Sequence, residues 1–89
     1  AVDSVDVHHK LQKKAKDSVN TLLKYVEIKV EEGKIENEFK ANINAADFAL
    51  LLVSAMEGAM MVSRVNGNHV AIKTTASIMN NYITTQLLK

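Results

Sequence analysis

The chain has 89 residues, of which 47% are hydrophobic and 24% are charged, and its formal net charge is +1. This composition fits one small globular domain, and it excludes both low-complexity disorder and the strong basic excess of a self-sufficient nucleic-acid binder. The lack of cysteine excludes a disulfide framework and a thiolate zinc site, and the lack of proline favours long uninterrupted helices.

The first predicted helix runs from about Ser4 to Glu32. Apolar residues recur along it at three- and four-residue spacing, whereas lysines and carboxylates fill the other face. Gly33 is placed to end this helix in the left-handed conformation. In the connector that follows, an irregular helical turn is expected to hold the apolar residues Ile35, Phe39 and Ile43 against the core. The apolar stripe of the helix contains Val7, Leu11, Ala15, Val19, Leu22, Leu23, Val26 and Val30.

The second predicted helix is the centre of the chain. Asn44 is placed to cap it, with Asp47 at the third helical position, and its apolar run continues to Val65. A narrow polar strip holds Glu57 and Arg64, yet a helix that is apolar nearly all round must be covered on several sides. We therefore expect it to need a partner chain or another part of its own chain. Its main apolar face contains Phe48, Leu51, Leu52, Ala55, Ala59 and Val62.

The last predicted helix runs from about His69 to Leu88. In the short turn at 66–68, Gly67 can take the left-handed conformation and Asn68 can cap the last helix. So short a connection predicts that this helix lies antiparallel to the second helix or crosses it sharply. Its apolar arc spans roughly 160°, which is wider than one neighbouring helix covers. A second partner is therefore implied here as well. The arc contains Ala71, Ile72, Thr75, Ala76, Ile78, Met79, Tyr82 and Ile83.

Patterns typical of catalysis and metal binding are missing from the sequence. His8 and His9 are adjacent, so on a helix they point about 100° apart and cannot share one metal ion, while His69 stands alone at a turn. There is no GxSxG turn and no glycine-rich phosphate loop. Glu57 has no partner acid or base, so exposure or a salt bridge, to Arg64 or to a partner chain, is the better interpretation. We predict that the chain is not an enzyme and uses no metal or cofactor.

Small residues and methionines on the last two helices suit binding. Ala55, Gly58 and Ala59 would let another helix backbone approach closely, and Gly58 otherwise costs about 1 kcal/mol relative to alanine in mid-helix. Methionine is usually a core residue, but it also suits an adaptable apolar pocket. The four methionines are Met56, Met60, Met61 and Met79.

Taken in chain order, these features resemble the C-terminal regulatory domain of TetR-family transcriptional regulators. The resemblance rests on a long charged helix ending Glu-Glu-Gly-Lys-Ile at 31–35, a connector ending Ile-Asn-Ala-Ala-Asp-Phe-Ala at 43–49, and Ser-Ala-Met-Glu-Gly-Ala-Met-Met-Val-Ser-Arg at 54–64. A short turn and one last amphipathic helix follow. The resemblance spans nearly the whole chain, whereas the family's N-terminal helix-turn-helix is missing. The sequence also begins without methionine, as expected either of a processed protein or of a domain cut from a longer one. The resemblance implies that residues 1–89 are one domain of a longer bacterial protein.

The resemblance implies an all-α fold with three main helices, the last two forming a four-helix bundle with those of a second subunit in a homodimer. The domain would sense a small apolar or aromatic effector for a cytoplasmic repressor that contacts DNA only through the missing domain and contacts no membrane. The implied dimer interface contains Ala55, Gly58, Ala59, Val62, Ile72, Met79 and Ile83. The candidate ligand-binding residues are Leu22, Val26, Phe48, Leu51 and Leu52.

A second interpretation stays open, in which the chain is a stand-alone helical interaction module that dimerises and binds no ligand. The two interpretations differ in what they predict for the interior. A regulatory domain requires a cavity near the first and central helices, whereas the interaction module predicts a filled core.

Overall fold

A computed structural model describes residues 4–89, and in this part of the chain the fold is all-α, as predicted. Three α-helices, α1 (Ser4–Ile35), α2 (Ala45–Asn66) and α3 (Val70–Tyr82), are followed by a π-helix, Ile83–Leu87. Helix α2 packs against α1 on one side and α3 on the other. The Cα atoms extend over 56 × 29 × 14 Å, so the molecule is an elongated, flat layer of helices.

The end of α1 differs from the prediction, because Gly33 lies inside the helix. The helix continues to Ile35, and the left-handed residue is Asn37, with φ of 63°. Asparagine tolerates this conformation better than most residues. Gly33 serves a different purpose: a Cβ atom at this position would lie 2.5 Å from Cδ2 of Phe39. Glycine therefore allows the Phe39 ring to fold back onto the helix.

The connector between α1 and α2 contains turns but not the predicted helical turn. Phe39 and Ile43 do pack against the core, whereas Ile35 is 84% exposed and the prediction for it is wrong. The connector is instead held by the end of the chain. The backbone N–H of Lys40 donates to the carbonyl of Leu87, and that of Lys89 donates to the carbonyl of Glu38.

The caps of α2 follow the sequence prediction. The side chain of Asn44 accepts a hydrogen bond of 3.0 Å from the backbone N–H of Asp47. At the other end Gly67 adopts φ of 70°, and its N–H donates to the carbonyl of Ser63. Asn68 then accepts from the N–H of Val70 at the start of α3. These local bonds fix where α2 ends and where α3 begins.

The core is small and lies at one end of the layer. It is formed where the C-terminal half of α1, the connector, the first half of α2 and the last residues of the chain meet. By contrast, every residue from 4 to 20 is exposed, so the apolar stripe of α1 is covered only toward its C-terminal end. The buried core residues are Val30, Ala45, Phe48, Met79 and Leu87.

Candidate functional site

An apolar groove of about 360 Å³ runs where all three helices come together, and we call it the front groove. Its volume falls within the range of about 300–1,000 Å³ that is typical of small-molecule pockets. Helix α1 contributes two residues to it, α2 contributes three, and α3 with the π-helix contributes the rest. The lining residues are Leu22, Val26, Leu52, Val53, Met56, Ala76, Met79, Asn80 and Ile83.

The front groove contains no charged side chain, and Asn80 is the one residue with a polar side chain among those that line it. The backbone carbonyl of Asn80 accepts a hydrogen bond of 3.0 Å from the hydroxyl of Thr84. Its side-chain amide belongs to an exposed residue and is able to donate to or accept from a ligand. Chemically, the groove suits an uncharged, mostly apolar molecule, since an ionised group would lose its hydration there without gaining a partner charge.

Three of the five candidate ligand-binding residues, Leu22, Val26 and Leu52, line the front groove. Phe48 and Leu51 border a different groove, next to the connector and the C-terminal residues. There the ring of Phe48 stacks on that of Tyr82, with centroids 6.2 Å apart. Neighbouring helical residues point about 100° apart, which is why Leu51 and Leu52 lie on different sides of α2. Ligand binding itself stays a prediction.

Sequence reasoning did not assign several front-groove residues to a pocket. Met56 carried a usable signal, because an unbranched thioether side chain suits an adaptable pocket. Met79 and Ile83 were assigned to a dimer interface, yet both line the groove inside one chain. Val53 and Asn80 gave no signal, since only the packing of α1 against α2 and α3 shows that they share a groove.

A second apolar surface, which we call the back face, lies roughly opposite the front groove on α2. Met61 is 58% exposed, and Val65 is 80% exposed. Leu51 of α2 and Tyr82 of α3 border one groove, so both helices contribute to this side of the layer. The exposed apolar residues of the back face are Leu50, Leu51, Met61, Val62 and Val65 on α2, with Ile78 and Tyr82 on α3.

Gly58 and Val62 are the predicted interface residues that a partner chain could reach most directly. Val62 is exposed, and a Cβ atom added at Gly58 would have no neighbour within 4 Å among residues 4–89. Both are on the back face by helical spacing, since they lie four residues apart and beside Met61 and Val65. This part of the predicted interface is open to contact.

The other predicted interface residues are engaged within their own chain. Ala59 is 6% exposed and Met79 is 7% exposed, which leaves these two side chains little surface for a partner. Ala55 and Ile83 pack against the core, and Ile72 is partly buried, with its backbone N–H donating to the hydroxyl of Ser63. The interface as a whole stays a prediction.

The two charged residues in the middle of α2, Glu57 and Arg64, are exposed and form no ion pair within residues 4–89. The ion pairs in this part of the chain all lie within α1, as between Lys13 and Asp17 at 3.0 Å. The interpretation of Glu57 as a salt-bridge partner of Arg64 in the same chain is therefore not supported. The two interpretations that remain are that Glu57 is simply exposed or that it contacts another chain.

The metal-ligating side chains and the apolar helix α2 bear on two further classes of site. Within residues 4–89, no group of three or more histidine and carboxylate side chains could hold a metal ion. Helix α2 is long and apolar enough to cross a membrane by length and composition alone. One such helix is weak evidence, because core helices of soluble proteins satisfy the same condition, and it does not indicate a membrane protein.

Comparison with known proteins identifies the fold. A family model described as "Tetracyclin repressor-like, C-terminal domain" matches residues 1–79. The crystal structure of a TetR transcriptional regulator from Chloroflexus aurantiacus J-10-FL is similar over 89% of this chain, with a TM-score of 0.83 and 23% sequence identity. This chain spans 40% of the length of that protein chain. Among proteins of curated function, none matches the sequence significantly.

Proposed function

Because the chain belongs to the family of tetracycline repressor-like C-terminal domains, we propose that it is the dimerisation and effector-sensing domain of a TetR-like transcriptional repressor. In this proposal residues 1–89 form the regulatory domain of a cytoplasmic bacterial protein, and a helix-turn-helix N-terminal to them binds the operator. The effector occupies the front groove and thereby changes the spacing of the two DNA-binding domains in the dimer. The domain itself is not catalytic.

One observation carries the proposal: α2 has uncovered apolar surface on two opposite sides. The front groove opens on one side, and the back face lies on the other. A domain that only dimerises needs the back face alone. A domain that also binds an effector needs the front groove as well. Because α2 forms part of each surface, a ligand that moves α2 from the front also changes the back face.

The back face supports the dimer half of the proposal. Burying one exposed apolar side chain fully is worth about 1.5–3 kcal/mol, so a handful of them covered at once can offset the cost of association. Helices α2 and α3 of two chains would then form a four-helix bundle. The interior of that bundle would hold Met61, Val62 and Val65, with Gly58 close to the point where the two α2 helices meet.

The front groove supports the effector half. Leu22, Val26 and Leu52 provide apolar walls, and Met56 can adapt its shape to the ligand. The absence of charge among the lining residues favours a neutral apolar or aromatic effector that makes one hydrogen bond, to Asn80. The alternative of an interaction module with a filled core is disfavoured by the groove between its helices.

The dimer is tested by light scattering behind a sizing column over a dilution series. We expect the wild-type chain to be dimeric and Gly58→Leu to weaken the dimer about 10-fold or more, because the added side chain separates the paired helices. Lys73→Leu, which adds a leucine at an exposed position of α3 outside the predicted interface, serves as the control and should leave the dimer unchanged. A monomeric wild type contradicts the proposal.

The effector site is tested by titrating the neutral apolar dye N-phenyl-1-naphthylamine, whose fluorescence rises in an apolar environment. We expect Met56→Lys to reduce dye binding about 10-fold or more, since a charge in the groove must lose its hydration. Leu11→Lys changes an exposed apolar residue far from the groove and should bind the dye as the wild type does. Equal binding by all three proteins would contradict the groove as the effector site.

A further inference from the structure

We propose that Glu57 and Arg64 form two reciprocal ion pairs across the two-fold axis of the dimer, the Glu57 carboxylate of each chain contacting the partner's Arg64. These pairs fix the antiparallel orientation and the register of the two α2 helices. The inference rests on the proposed function, because it requires the dimer, and it adds the contacts that decide how the two chains meet.

Neither side chain has an ion-pair partner within residues 4–89, and both side chains are exposed. They are seven residues apart, which on an α-helix is about 10.5 Å along the axis and only about 20° in rotation. Glu57 and Arg64 therefore lie on one line of α2, unpaired with each other and available to another chain.

Their surroundings are apolar and open. Met60 and Met61 lie between them along the helix, and both are exposed, as is Val65 beside Arg64. Apart from Asp47 in the first turn, no other charged residue occurs on α2. Glu57 and Arg64 therefore border the exposed apolar surface that we propose to be the dimer interface. They give that border one acidic and one basic side chain.

Two-fold symmetry allows each of these two charges to meet the opposite charge of the partner chain. In an isologous interface, a contact from residue i to residue j is accompanied by the same contact from j to i. Two antiparallel α2 helices that meet between Met60 and Met61 place Glu57 beside the partner's Arg64 and Arg64 beside the partner's Glu57. A parallel arrangement in register would place like charges together, which is unfavourable. A Cβ atom added at Gly58, next to Glu57, would lie more than 4 Å from any other side chain in the described part of the chain, which leaves room for the second helix.

The test is a charge-reversal cycle on the 89-residue chain, with Glu57→Arg, Arg64→Glu and the double variant that carries both changes. Dimer dissociation constants are measured by sedimentation equilibrium at low and high salt, and circular dichroism checks that each variant remains helical. Because the dimer is two-fold symmetric, each single reversal creates two like-charge contacts. We expect each to weaken the dimer about 10-fold or more at low salt, and less at high salt. The double variant, in which the pairs are swapped, should return to within about 3-fold of wild type.

A matched control uses the intrachain pair of α1 between Lys13 and Asp17. Asp17→Lys reverses a charge that is also exposed and should leave the dimer constant unchanged. If the wild type is dimeric but the double variant is as weak as the single ones combined, the reciprocal pairs are wrong and the proposed dimer stands. If the wild type is monomeric, both the pairs and the proposed dimer are wrong.

Discussion

The two halves of α1 share one apolar stripe but lie in different environments. In the C-terminal half, Val26 and Val30 pack in or against the core, and Gly33 is covered by the Phe39 ring. In the N-terminal half, every residue from 4 to 20 is exposed, and Leu11 is 63% exposed. The same periodicity thus accompanies both a covered and an uncovered helix face. An amphipathic pattern indicates which side of a helix is suited to packing, and it does not indicate what packs there.

The largest expected effect lies at the covered end. Phe48→Ala removes a ring that is buried in the core and stacked on Tyr82, so we expect a loss of about 3–5 kcal/mol in the free energy of unfolding. Urea denaturation at one fixed chain concentration measures it, because a dimer's apparent stability depends on concentration. A loss below about 1 kcal/mol would mean that the Phe48 ring is not part of the folded core.

A smaller effect is expected from replacing either of two glycines by alanine, Gly33 inside α1 or Gly58 inside α2. Gly33→Ala would push a Cβ atom against the Phe39 ring, and we expect it to destabilise the chain by about 1–3 kcal/mol. Gly58→Ala meets no other side chain of residues 4–89 within 4 Å and should stabilise the monomer by about 0.5–1 kcal/mol through helix propensity. Unfolding followed at concentrations below dimer formation compares the two. Equal effects would show that Phe39 does not occupy the surface of Gly33.

The cap of α2 is expected to matter less than the core. Asn44→Ala removes the acceptor of the Asp47 N–H bond and should cost about 1 kcal/mol. Asn44→Asp keeps an acceptor and serves as the matched control, with stability close to wild type. Both are measured as shifts in the urea midpoint at unchanged slope. An alanine variant as stable as the aspartate variant would contradict the capping role.

The smallest effect is expected at the uncovered end. Leu11→Ala should change the stability of this chain by less than about 0.5 kcal/mol, because the side chain is already exposed. In a longer protein that also contains the proposed N-terminal domain, the same substitution should cost about 2 kcal/mol or more if that domain covers the stripe. Comparing the two proteins by denaturation shows whether α1 continues into a second core. Equal small effects in both would mean that the first half of α1 stays uncovered.

The local signals in the sequence predicted the helix ends around α2 correctly. Asn44 and Asn68 act as side-chain acceptors and Gly67 adopts the left-handed conformation, because these features depend on neighbouring residues only. Gly33 failed as a helix end for the opposite reason. Its role depends on a contact with Phe39, which local capping rules do not include.

The candidate site was harder to predict than the fold. The sequence indicated that α2 and α3 had more apolar surface than one neighbour covers, but it could not divide that surface between the core, the front groove and a partner chain. Met79 shows the difficulty: its spacing fits an interface, yet it is buried within its own chain and lines the front groove. Leu51 and Leu52 were assigned together, although only Leu52 lines that groove.

The backbone hydrogen bonds between the connector and the chain end affect the order in which the molecule is completed. Lys40 and Glu38 are synthesised before α2 and α3, yet their partners, Leu87 and Lys89, follow both helices. A nascent chain that has reached only Tyr82 therefore lacks the bonds that hold its connector in place. Leu87, a buried core residue, is also missing at that stage. The connector therefore cannot take its final packing until residues 87–89 have left the ribosome, after both α2 and α3 have been made.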